Sequence, residues 1–177
     1  VGHRVVHGGM AYAAPVRLNA EVVRDLEQFV PLAPLHQPHN LAPIQRLTER
    51  QPGLPQVACF DTAFHAGMPT VERRFALPPH ADLQGVQRYG FHGLSYQYLA
   101  TRLAQRSPAA AGRCVLAHLG NGASLCATRG GRSMATSMGF SALDGLVMGT
   151  RSGSIDAGVL LHLLQRGWNV FRFYDFL

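Results

Sequence analysis

Lysine is absent from this chain of 177 residues, and all 16 basic side chains are arginine. On an open surface the exchange of lysine for arginine is nearly free, so the absence reads as a coding bias. At a site that grips a planar anion through two parallel hydrogen bonds the exchange is not free. Charged residues are sparse, at 15%, and the formal net charge of +6 is spread thinly, with Arg73-Arg74 as the one adjacent basic pair. No stripe or tail gathers the arginines, which argues against a nucleic-acid binder and leaves a few of them to face a small polyanion. Cysteine is scarce too. Cys59, Cys114 and Cys126 are odd in number and lack metal-type spacing, so free thiols in a reducing cytoplasm are expected. No stretch reads as a signal peptide, a lipidation motif or an apolar run of about 18 residues, which gives no reason to expect a membrane partner.

What is present describes a globular α/β protein. Apolar residues make up 47% of the chain, and its length suits one domain or two small ones. Val1 opens inside a strand-like run, VGHRVVHGG, so a piece of a longer protein is expected. From that strand Arg4 and His7 are expected to extend, with Val5 and Val6 as apolar wall. Asn19 reads as the N-cap of a helix whose Val22, Val23, Leu26, Phe29 and Val30 share a face, stopped by Pro31 and Pro34. A stiff loop carrying His36 and His39 should follow, then a helix from Leu41 to about Arg50. No carboxylate or cysteine lies near enough in sequence to complete a metal site with the two histidines. Gln56 to Phe60 reads as a strand with Asp61 just past its end, where ligands gather in open α/β sheets, although the residue equally suits a turn cap.

The segment 67–90 is irregular, with Pro69, Pro78 and Pro79, and is expected to cross between domains. Tyr89-Gly90-Phe91-His92-Gly93 then sets an imidazole before a helix from about Ser95 to Gln105. A helix N-terminus is a poor place to hold a proton and a good place beside phosphate. Arg113 to Gly131 reads as a β-hairpin with strands at Cys114–Ala117 and Ala123–Thr128. Its oversized tip, His118 to Gly122, holds residues that tolerate positive φ, and is either an ordinary turn or a nest of amides for phosphate oxygens. The stretch 132–156 is rich in Gly, Ser and Thr but carries Met138, Phe140, Leu146 and Met148, so it is expected to fold against a core. There Arg151 stands among small residues that would let its guanidinium clamp a phosphoryl group. Asp156 should cap a last helix bearing Val159, Leu160, Leu163 and Leu164, with Gly167 as its stop. Trp168 to Leu177 shows no periodic face and reads as a strand cut short or a non-native ending.

Taken in order, HRVVHGG (3–9), LAPLH (32–36), FDTAFH (60–65), YGFHG (89–93), HLGNG (118–122) and MGTRSG (148–153) resemble the acetate kinase family, within the acetate and sugar kinase, heat-shock chaperone ATPase and actin superfamily. The resemblance covers roughly the first 165 residues. It implies a partial ribonuclease H-like, actin-like ATPase fold of two domains, with residues 1–62 completing the first and 63–177 beginning the second. It also implies magnesium-dependent phosphorylation of acetate, or a similar short-chain carboxylate such as propionate, by ATP, through direct in-line transfer to an acyl phosphate. Residue by residue, Asp61, His92 and Arg151 take the catalytic positions. Arg4, Val6, Leu35 and Phe91 take those that hold the carboxylate substrate, and His118, Leu119, Gly120, Asn121 and Gly122 form the ATP phosphate loop. Asp61 would hold magnesium through water or orient Arg4 and Arg151. No metal ligand set is expected within these residues. A cytoplasmic homodimer, built largely on the second domain, is implied for the full-length protein.

The sequence departs from the family pattern at four positions: Tyr96 stands where a second histidine is usual, Ala142 where a proline is common, and Ser154 and Ala157 where the motif reads RSGDIDP. The family's first phosphate loop would lie before Val1, and its adenosine loops and a magnesium-linked glutamate after Leu177. The chain alone is therefore expected to turn over little or not at all, and an inactive nucleotide-binding piece is the alternative reading.

Overall fold

Alternating burial marks Gly2–Val5 as strand β1, in which His3 and Val5 point inward and Arg4 outward. The computed structural model describes residues 1–176. β1 runs parallel to β3 (Val57–Phe60), with Gly2 opposite Val57 and Val5 opposite Phe60, and the short β2 (Val16–Arg17) pairs antiparallel on the other edge of β3. Val5, Ala58 and Phe60 meet Val22 and Leu26 of α1 (Ala20–Gln28) and Leu41 and Ile44 of α2 (Gln37–Arg50) in one core. Each such fully buried aliphatic side chain contributes about 2 kcal/mol. Asn19 caps α1, its Oδ1 accepting from the Val22 amide at 2.8 Å.

Two expectations for this half are corrected. His7 does not extend from the strand but is fully buried, edge-on to Tyr89 and Phe91. α2 begins at Gln37, four residues before Leu41, so most of the anticipated stiff loop is helix. Pro38 lies in the first turn, where a missing N–H costs nothing. The buried Gln37 ties the helix to the strand end: its amide donates to the carbonyls of His7 and Leu26 and accepts from the His7 N–H.

After α3 (Thr70–Arg73) the chain reaches α4 (Gly93–Ala104), which starts two residues before the expected Ser95. The second sheet is β4 (Arg113–Leu119), β5 (Ala123–Arg129) and β6 (Arg132–Thr136), antiparallel in that order. Three further corrections apply here. His118 and Leu119 belong to β4, paired with Ser124 and Ala123, so the tip is only Gly120 to Gly122. None of those three residues has positive φ, and the Gly120 N–H donates to the Gly122 carbonyl at 3.0 Å. The tip thus closes on itself rather than splaying its amides into a nest. β6 lies in a stretch anticipated as loop, and Gly130 and Gly131, at φ 57° and 72°, make the two-residue turn that leads into it.

Asp156 caps α5 (Ala157–Gln165) through the Gly158 amide at 2.7 Å, and Gly167, at φ 86°, follows its end. The aromatic tail is corrected from strand to helix, α6 (Val170–Phe176), with Trp168 packed on Phe173 and Phe176 and the Arg172 guanidinium 4.3 Å from the Trp168 ring centre. Leu177 lies outside the described residues. A central cluster of Val6, Ala33, Tyr89, Phe91, Ala123, Met138 and Met148 joins the two sheet regions, and Tyr96 packs with Leu116 and Cys126 beneath the second sheet. No helix among the described residues is long and apolar enough to cross a membrane.

Candidate active site

The end of β3 delivers Asp61, 2% exposed, beside Arg4 on the neighbouring parallel strand. Arg4 Nε donates to both carboxylate oxygens, at 3.2 and 3.1 Å, and Nη2 to Oδ2 at 2.5 Å. This hydrogen bonding, opposed by burial, raises the Arg4 pKa and fixes the guanidinium plane. The Asp61 carbonyl accepts the Gly93 N–H at 2.9 Å, and a Cβ at Gly93 would stand only 2.1 Å from that oxygen. Glycine here lets α4 begin against the strand end, which brings His92 to Asp61.

His92 caps α4 at φ 58°, the one non-glycine residue with positive φ among those described. Such a conformation is strained for an L-residue and persists only where its surroundings enforce it. Its Nδ1 lies 2.8 Å from Ser124 Oγ, and its ring stacks on His118 with centres 4.0 Å apart. His118 Nδ1 in turn meets Ser95 Oγ at 3.0 Å. Burial, followed by the neighbouring His118, Arg4 and Arg151, lowers the His92 pKa to about 4, so the ring is neutral near pH 7. His65 braces this corner from behind: one ring nitrogen meets the Phe91 carbonyl at 2.9 Å and the other Ser133 Oγ at 2.8 Å.

Arg151 reaches the same point from the long loop after β6. Its Nη1 donates to the Ala142 carbonyl at 2.8 Å, and its backbone carbonyl accepts the Met148 N–H. A Cβ at Gly122 would stand 2.9 Å from Arg151 Nη2 and 3.2 Å from His92 Nε2. The missing side chain therefore lets a guanidinium and an imidazole converge on the hairpin tip. The loop is itself folded: Met138 and Met148 are buried, and the Ser154 hydroxyl donates to Asp144 at 2.7 Å. Beside the convergence lies a cavity of about 630 Å³ walled by Val6, Leu35, Phe91, Phe140 and Ala142, with Asn121, His36 and Arg151 on its border. An apolar chamber with an arginine at its edge suits an anion carrying a short hydrocarbon tail. No group of three or more His, Cys, Asp or Glu side chains is placed to hold a metal ion among the described residues.

The profile of the Acetokinase family matches residues 1–170. The chain belongs to the acetokinase family. An acetate kinase of Nitrobacter hamburgensis is 56% identical over all of this chain and 44% of its own length, and one of Methylocella silvestris is 59% identical over 93% of this chain and 41% of its own. A propionate kinase structure from Francisella tularensis superposes with a TM-score of 0.93 at 40% identity, covering 99% of this chain and 46% of that one. The fold is thus part of the α/β acetokinase fold, and the chain spans under half the length of the curated relatives it matches.

Within this acetokinase-family chain, Arg4, Asp61, His92, His118, Gly122 and Arg151 lie together, and Val6 and Phe91 form the cavity floor. Leu35 stands at the rim, 57% exposed, and Leu119 points outward, 74% exposed. Asp61 holds Arg4 but not Arg151, which hangs from Ala142 instead. Sequence reasoning gave no role to Ser124 or His65. His65 was visible as the close of FDTAFH; Ser124 carries no signal beyond alternation, which turns it to the buried face of β5.

Proposed function

We propose that these residues form the acyl pocket and phosphoryl grip of an enzyme that transfers the γ-phosphoryl group of ATP to acetate or a close short-chain carboxylate. The convergence of Arg151 Nη2 and His92 Nε2 on Gly122, beside an apolar cavity, is the observation that carries this reading. A carboxylate nucleophile is already ionised at neutral pH, so no general base is required. Catalysis then rests on alignment and on positive charge around the equatorial oxygens. Arg151 and the neutral His92 face the phosphoryl group, Arg4 with Asp61 behind it steadies the carboxylate, and Val6, Leu35 and Phe91 hold the methyl group. The hairpin residues His118 to Gly122 approach the ATP phosphates.

Magnesium would enter with the nucleotide. Among the described residues the one buried carboxylate of the cleft is Asp61, whose two oxygens accept from Arg4; it would meet the ion through water or serve to orient Arg4. In this reading residues 1–62 close a first domain and 63–177 open a second, in a cytoplasmic protein that dimerises through the second. A second reading, in which the chain binds nucleotide and acyl phosphate without turnover, is not favoured by the family match, and one experiment separates the two.

Hydroxamate trapping of acyl phosphate from ATP, magnesium and acetate, with calorimetric binding of ADP and acetyl phosphate, tests both. Binding or turnover lost in Arg151→Ala supports the phosphoryl grip. Nucleotide binding without acyl phosphate formation marks the second reading, and a folded chain that binds neither ligand overturns both.

A further inference from the structure

Tyr96 and Ser124 are both fully buried, and their hydroxyls form a continuous line to His92: Tyr96 Oη to Ser124 Oγ at 2.5 Å, then Ser124 Oγ to His92 Nδ1 at 2.8 Å. The direction of the protons along this line follows from counting donors and acceptors. Tyr96 carries one hydroxyl proton that needs an acceptor, and among the described residues its side-chain partner is Ser124. Burial is the main effect on the phenol and raises its pKa, with the Cys126 thiol acting the same way and Ser124 and the His118 backbone opposing it. If His92 carried its proton on Nδ1, Ser124 would have to accept it, and whether Ser124 then donated to Tyr96 or accepted from it as well, one of the two buried hydroxyl protons would lack an acceptor among the described residues. If instead Tyr96 donates to Ser124 and Ser124 donates to His92, each of these hydrogen bonds is satisfied.

We propose that Tyr96 and Ser124 act as positioning residues that hold His92 in the tautomer protonated at Nε2, so that an N–H donor is aimed at the anion site beside Gly122 and Arg151. The inference deepens the phosphoryl-grip reading and rests on it for its use, but the tautomer itself can be read without turnover. The same network resists protonation of the ring, since an N–H at Nδ1 would leave one of the two hydroxyl protons without an acceptor. Burial and the adjacent arginines act in the same direction.

The test is long-range proton–nitrogen correlation on the histidine-labelled chain near neutral pH, with His92→Asn to assign the signals. The native protein should show a protonated Nε2 and an Nδ1 shifted as an acceptor. Tyr96→Phe keeps the ring that packs with Leu116 and Cys126, and should move His92 toward a mixture of tautomers; Ser124→Ala should do the same without touching the tyrosine. An Nδ1–H signature in the native protein overturns the proposal even if both variants fail to fold. A pure Nε2–H signature in either folded variant overturns the relay. Inorganic phosphate added to the native chain should shift the Nε2–H resonance, with several-fold weaker affinity in Tyr96→Phe. A correct tautomer that ignores phosphate upholds the relay and overturns the grip.

Discussion

His7 and His65 are imidazoles whose burial lowers their pKa to about 4 from an ordinary 6.5. Below about pH 6.5 the unfolded chain takes up protons that the native state refuses until about pH 4, so stability falls as pH drops through that window and is unaffected above it. Each histidine accounts for roughly 3 kcal/mol at most across the window. Chemical denaturation from about pH 8 downward should show a flat stretch, then a loss of several kcal/mol starting near pH 6.5. Stability that holds unchanged to about pH 4.5 would contradict the burial of these rings as neutral species. Ala142 makes a second prediction at this scale. It lines the cavity at a position where the family resemblance implies proline, and its carbonyl also holds Arg151. Removing the ring widens the chamber by a few carbons' worth of space, and a methylene in an apolar pocket discriminates by about 10-fold or more. Ala142→Pro should lower propionate relative to acetate by about 10-fold, read as relative kcat/KM or relative affinity. An unchanged ratio would show that the wall lies elsewhere.

At the scale of elements, α2 carries Pro43 in its interior, on an exposed face. Proline there leaves the His39 carbonyl without its helical partner and crowds the preceding turn, at about 3 kcal/mol, less up to about 1 kcal/mol for the stiffer unfolded chain. Pro43→Ala should therefore raise stability by about 2 kcal/mol, seen as a higher urea midpoint with the same slope; a lower midpoint would mean that the kink is needed for packing. The legibility of the elements follows the same local chemistry. Asn19 and Asp156 announced their helices because a side-chain acceptor before an apolar period has few other uses. α2 was read four residues short because two prolines and two histidines look like a loop until the buried contacts of Gln37 are known. β6 was hidden for the opposite reason: Arg132 to Thr136 is a short polar run whose strand character comes from pairing with β5. Arg4, Asp61, His92 and Arg151 were legible as candidates through their motifs. The bridge between His92 and Tyr96 was not, because Ser124 joins them only once two elements far apart in sequence are packed.

At the scale of the molecule, the second half leaves much apolar surface uncovered. α5 has no buried residue, with Val159, Leu161 and Leu164 at 42%, 61% and 48% exposure, and α6 adds Val170 and Phe171 at 63% and 80%. On the outer face of β4, Val115 is 69% exposed. Exposed apolar side chains gathered on one element mark contact surfaces, while a net charge of +6 opposes self-association only weakly at physiological salt. The 177 residues should therefore associate with themselves at tens of micromolar, visible as a concentration-dependent sedimentation coefficient. Leu161→Lys with Phe171→Lys tests the helical surface and Val115→Lys the sheet face, none of them in the candidate site. If only the helical pair restores a monomer, association runs through α5 and α6, and the sheet face tolerates water. If only Val115→Lys does so, the strand is the sticky element. A chain that stays monomeric at every concentration would show that these side chains find enough cover within the molecule itself.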